Sequence, residues 1–261
     1  MNLEYYPLLQ IQRKLQGLPR NRARFQQYLR TLKNEYGEDG FLAPLVAANP
    51  MAKEHVTALL DAFLALDADK IAAHAVEEAS ARLTDIPGAA KVTLVVVDDL
   101  MGAGTNRYDY EYQHRFLYAG GPPASLGEWG KWLKHFWLSA YLWSSEPATE
   151  RVVREAILTQ LYRSGYIHRH GPARNLREML VQEGEIMTMA GCTGPTLDEE
   201  DIAYTREVIV PYLDSNDMRT VIECMFGDVA GRTLGFTPRG LSPWAGLALA
   251  LHDGELRASQ G

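Results

Sequence analysis

Cysteine is scarce in this chain: only Cys192 and Cys224 occur in 261 residues, and they lie far apart. No CxxC pair and no Cys/His cluster accompanies them, which excludes a zinc ribbon or a disulfide scaffold and fits a reducing compartment. Long apolar runs are missing as well. The longest, 133–143 and 241–251, fall well short of the roughly 20 apolar residues that a bilayer-spanning helix requires. The N-terminus carries no apolar core of the signal-peptide type. These absences lead to the expectation of a cytoplasmic protein with no membrane partner.

The familiar catalytic signatures are absent too. There is no GxxxxGK[ST] phosphate loop and no HExxH zinc helix. Gly102-Ala103-Gly104 is followed by no third glycine, so the dinucleotide fingerprint fails. Gly240-Leu241-Ser242 has Trp244 where a nucleophile elbow needs glycine, and no EF-hand loop or kinase motif occurs. The sequence therefore assigns no cofactor. Internal repeats and low-complexity linkers are also lacking, so 1–261 is read as one domain, with 1–86 as a helical N-terminal subdomain and 87–261 as a hairpin and helical body.

Positive charge is short overall and unevenly placed. The net charge is −7, which argues against indiscriminate nucleic-acid binding. Seven basic residues against Glu4 alone leave 1–33 at +6, so the other 228 residues carry −13. Leu8, Ile11, Leu15 and Leu18 recur at helical spacing. After Gly17-Leu18-Pro19, the residues Phe25, Tyr28, Leu29 and Leu32 form a second apolar stripe. This basic amphipathic segment is expected to dock on the acidic body of the same chain or on a second copy, which makes a homo-oligomer one of the candidate partners.

The stretch with the densest β-forming residues is 91–118. Val92–Val97 is a short apolar run of the kind found in strands buried on both faces. Residues 107–118 alternate strictly, with Tyr108, Tyr110, Tyr112, His114, Phe116 and Tyr118 on one side and charged or polar residues mostly on the other. The simplest reading is an antiparallel hairpin joined through 99–106, where Gly102 and Gly104 permit a tight loop. The expected fold class is α+β, predominantly α-helical, with a small antiparallel sheet around residues 91–118.

Helices are read over most of the remainder. Met51–Leu66 and Ala68–Leu83, the latter capped by Asp67, precede the hairpin. A tryptophan-rich helix starts at Ser125 and reaches Trp143. Further helices run from Ser145 to about Ser164, from Asn175 to Ala190 with Gly191 as its stop, from the capping box Thr196–Glu199 to Tyr212, and from Asp214 or Ser215 onward, with a last one over 244–251.

Two functional readings follow. In the first, the chain binds a small molecule or a divalent metal near the 98–107 loop, with or without catalysis. Asp98, Asp99, Asn106 and Arg107 supply polar groups there, because a carboxylate pair at the mouth of an apolar strand calls for partners. Glu178 and Glu185 join the ligand-binding candidates as carboxylates on a largely apolar helix. Asp98 and Asp99 are also metal candidates. So are His168 and His170, whose i, i+2 spacing would put both imidazoles on one face of an extended segment. The second reading is a helical protein–protein interaction module without catalysis, using its aromatic surplus and basic N-terminal helices as contact surfaces.

Overall fold

The computed structural model describes residues 1–34, 40–100, 105–117 and 136–260. Gly102 and Gly104, the turn at 120–123 and the start of the tryptophan-rich segment from Ser125 lie outside the described residues.

In chain order the elements are β1 (Asn2–Tyr5), α1 (Leu9–Gln16), α2 (Arg22–Lys33), a 3₁₀ turn (Ala43–Ala47), α3 (Glu54–Ala65), α4 (Ala68–Arg82) and β2 (Ala89–Val97). They continue with α5 (Arg107–Tyr112), extended by a π-helical turn at Gln113–Leu117, then β3 (Trp137–Trp143), α6 (Glu150–His170), α7 (Leu176–Ala190), α8 (Glu199–Ile209), α9 (Met218–Thr233) and α10 (Ala245–Gln260). The described residues are thus mostly helical. They form two compact units, Met1–Thr105 with Gly121–Leu161, and Asn106–Gly120 with Tyr162–Gly261.

The first unit holds a three-stranded sheet of order β1-β2-β3, and both pairings are parallel. This overturns the antiparallel hairpin. β2 is central and lies where expected, with Val92 and Leu94–Val97 all fully buried. Its partners are strands that sequence periodicity did not reveal. β1 is only four residues long and polar at two of them. β3 falls in the stretch read as a tryptophan helix, yet its side chains alternate: Leu138, Ala140 and Leu142 are buried, while Trp137, Ser139 and Tyr141 are half-buried. Parallel strands need long crossovers, and α1 to α4 supply the one between β1 and β2.

β1 pairs with β2 only as far as Tyr5 and Val92. Beyond that point the buried side chain of Gln12 on α1 stands in for a neighbouring strand. Its Nε2 donates to the Val96 carbonyl at 2.7 Å, and its Oε1 accepts the Val96 N–H at 3.0 Å. Both backbone groups of a buried residue are thereby satisfied.

Of residues 107–118, read as the second hairpin strand, 107–117 are helical and 118 lies outside the described residues. A strict alternation of period two also contains series spaced by four, which align on one helix face. Asn106 decides the outcome: its side-chain oxygen accepts from the N–H groups of Tyr108 and Asp109 and caps α5. Tyr108, Tyr112 and Phe116 then share one face, and Arg107, Glu111 and Arg115 share another.

In the second unit α5, α7, α8, α9 and α10 enclose a core that includes Tyr112, Phe116, Leu176, Met179, Val221, Phe226 and Leu249. α7 has the predicted limits, with Asn175 accepting from Glu178 N–H and Gly191 closing the helix at φ 67°. Its internal glycine, a liability by helix propensity, is required by packing. A Cβ on Gly184 would stand 2.3 Å from the Ala250 carbonyl oxygen, and one on Gly254 would stand 2.4 Å from the Gly184 carbonyl oxygen. α7 and α10 therefore touch backbone to backbone.

Candidate functional site

Parallel α/β sheets place ligands beyond the carboxyl ends of their strands. At that end of β2 stand Asp98 and Asp99, and at that end of the adjacent β3 stand Ser144 and Ser145. Ser144 N–H continues the ladder by donating to the Val97 carbonyl at 2.9 Å. Its hydroxyl lies 3.2 Å from Asp98 Oδ1 and 2.8 Å from Asp99 Oδ1. Asp99 also accepts from Ser145 N–H at 2.9 Å and from Ser145 Oγ at 2.6 Å. One serine hydroxyl thus lies within reach of both consecutive aspartates.

Asp98 is 3% exposed and has further partners in the crossover that leads from β1. Asn49 Nδ2 donates to Oδ2 at 2.9 Å, and His55 Nε2 lies 2.8 Å from Oδ1. Leu100 N–H reaches Oδ1 at 3.3 Å. The Asn49 amide is oriented by its own bonds: its Oδ1 accepts Met51 N–H at 3.0 Å, while its backbone carbonyl takes Gln16 Nε2 at 2.7 Å. That fixes Nδ2 as the group facing the carboxylate. Contact with a carboxylate puts a proton on Nε2, the nitrogen that faces Asp98. His55 is 24% exposed at its side chain, so solvent reaches the ring.

This is not a serine–histidine–aspartate triad. Among the described residues Ser144 meets the two carboxylates, and the imidazole meets Asp98. Activation of a serine requires the histidine to lie between the other two.

The other predicted site residues are employed elsewhere. Asn106 is the cap of α5. Arg107 pairs with Glu111 at 3.6 Å and lies over the Trp244 ring, 4.8 Å from its centroid. Glu178 is held by Arg174 on the exposed side of α7, and Glu185 is exposed. His168 and His170 sit in the last turn of α6, so the extended segment that would align them does not form; His170 packs on the Tyr166 ring at 4.5 Å between centroids. Among the described residues no group of three or more His, Cys, Asp or Glu side chains is arranged to hold a metal ion.

A second constellation, in the other unit, went unread in the sequence. Glu183 on α7 is fully buried and accepts from Arg163 Nε at 2.9 Å, Arg163 Nη2 at 2.8 Å, Gln182 Nε2 at 3.1 Å and the Arg115 guanidinium. Arg115 in turn donates through Nε to buried Glu111 at 2.8 Å. Burial alone would raise the Glu183 carboxyl, but the two guanidiniums prevail and bring it down to about 2. His114 beside this network is pushed down to about 3, by burial and by the Arg163 charge. Two signals were available: the i, i+4 series Arg107-Glu111-Arg115, and the position of Glu183 within the apolar stripe of Leu176, Met179, Leu180 and Met187.

One stretch of 99 residues is 33% identical to the uncharacterized protein YjfC of Bacillus subtilis (strain 168), covering 34% of this chain and 33% of that protein. The chain thus aligns with about a third of the length of that curated relative. No family model matches the chain, and no solved structure matches it. No helix of the described residues is long and apolar enough to cross a membrane.

Proposed function

We propose that the protein binds a small polar molecule at the carboxyl end of the three-stranded sheet, with His55 as its main contact and Asp98 as the residue that orients it. The observation that carries this reading is the pairing of a buried carboxylate with a solvent-reached imidazole, at the end of the central parallel strand. In its neutral form a histidine held this way offers an acceptor at Nδ1 to a ligand hydroxyl or ammonium group, and the same arrangement suits proton transfer. The described partners of the two aspartates are amide, hydroxyl, imidazole and backbone N–H groups, which favours an organic ligand over a divalent cation. The metal version would require those hydrogen bonds to be exchanged for metal–oxygen bonds.

A thermal-shift screen of small carboxylic acids, phosphate esters, amines and sugars tests the proposal. A compound that raises the melting temperature of the wild-type protein should raise that of His55→Gln far less. Calorimetric titration with Mg²⁺, Mn²⁺, Ca²⁺ and Zn²⁺ tests the metal version. A panel that leaves the wild-type melting temperature unmoved, together with no heat from any ion, removes the reading.

A further inference from the structure

The apolar stripe expected to be buried on α2 is split. Tyr28 is buried and donates to the Leu45 carbonyl, but Phe25 and Leu29 are 43% and 40% exposed. Arg22, Phe25, Gln26, Leu29 and Lys33 project from one side of the helix, with Arg30 at its margin, and all are exposed. Among the described residues Arg22, Arg30 and Lys33 have no ion-pair partner. This is an apolar strip with basic side chains around it.

The chain carries the opposite surface on α8. Glu200, Ala203, Tyr204 and Glu207 recur at i, i+3, i+4 and i+7 and are exposed, Tyr204 by 46%. Glu199 begins the same helix, and exposed Val210 follows it. Glu199, Glu200 and Glu207 likewise have no ion-pair partner among the described residues, whereas Arg206 of this helix is held by Asp253. An apolar strip between acidic side chains complements an apolar strip between basic ones.

We infer that α2 of one molecule docks on α8 of a second copy. Two α2 faces meeting each other would oppose like charges, and so would two α8 faces, which leaves the unlike pairing as the favourable one. Such a contact uses different surfaces on the two partners. Made once per pair it propagates head to tail, and made reciprocally it closes a two-fold dimer. A single helix pair is a small interface, so the association belongs to the weak, exchanging class.

Sedimentation velocity on the full chain over a wide concentration range gives the test. The weight-average mass should rise with concentration, and high salt should reduce it. The double variant Arg30→Glu/Lys33→Glu should weaken self-association by about tenfold or more, as should Glu200→Lys/Glu207→Lys. Because all four positions are exposed, both variants should keep the wild-type melting temperature. Mixing the two variants should restore association, since the acidic α2 of one meets the basic α8 of the other. A protein that stays monomeric at every concentration overturns the inference, and so does association that neither swap affects. Monomeric protein that sediments with phosphatidylserine vesicles would assign the α2 face to a lipid surface and overturn it equally.

Discussion

Asp98 and Glu183 are both buried carboxylates, yet they are held in opposite ways. Asp98 takes its bonds from an amide, a hydroxyl, an imidazole and a backbone N–H, and His55 beside it is open to solvent. Glu183 is fully enclosed and takes its main bonds from two guanidiniums. Separate donors, one of them on a ring that solvent reaches, let a carboxylate exchange partners at modest cost, whereas a desolvated ion network holds together only if every member stays. The contrast separates a position suited to ligand exchange from one suited to fixing helices.

The largest effect is expected on removal of Glu183. Glu183→Ala leaves Arg163 and Arg115 without their shared counter-charge in the interior, an effect of about 3–5 kcal/mol. Denaturant unfolding followed by hydrogen exchange in α6, α7 and α10 checks it. Acid should act on the same network. The folded Glu183 carboxyl lies at about 2 against an ordinary 4.5, so its stabilisation is present above pH 4.5 and is lost as pH falls towards 2. His114 lies at about 3 against 6.5. The unfolded chain therefore takes up a proton there first, and stability begins to fall below pH 6.5. His114→Gln should flatten the upper part of that window in a pH series of melting temperatures and leave the lower part. An unchanged profile in the variant would remove the histidine from the account.

Smaller effects are expected at Gly184 and Asp98. Gly184→Ala forces a methyl group against the Ala250 carbonyl and should cost about 1–3 kcal/mol, read as a lower denaturation midpoint. Asp98→Ala should cost a comparable or smaller amount, about 1–3 kcal/mol, because solvent can reach some of the donors it abandons. If Asp98→Ala proved more damaging than Glu183→Ala, the roles assigned to the two carboxylates would be reversed.

Local chemistry was legible in the sequence and long-range pairing was not. The β2 run, the Asn175 cap and the Gly191 stop rest on residues close in the chain, and each lies where the sequence placed it. Asp98 and Asp99 were identified as a pair needing partners, but Asn49, His55 and Ser144 reach them from 43 to 49 positions away, beyond any spacing rule. The hairpin failed because alternation by two also satisfies a spacing of four, and the choice fell to a single cap at Asn106. β3 failed because its aromatic residues matched a helical stripe, while parallel pairing with β2 is set by the fold. Asp67 illustrates a cap read from residue type alone: it stands at the start of α4 in the left-handed region, with its side chain on Lys70 and not on the helix N–H groups.

The smallest effect is expected at Phe25, where the sequence implied one of the larger ones. Phe25 and Tyr28 belong to one apolar stripe by spacing, and burial of the whole stripe would make both truncations costly. The structure divides them, burying Tyr28 and leaving Phe25 43% exposed. Phe25→Ala should therefore change folding stability by no more than about 0.5 kcal/mol. Tyr28→Phe, which removes the bond to the Leu45 carbonyl, should cost about 1 kcal/mol. Urea unfolding of dilute protein measures both without contribution from self-association. A loss at Phe25 that exceeds the loss at Tyr28 under those conditions would mean that the exposed side of α2 is covered within the monomer, and the face proposed for a second copy would no longer be free.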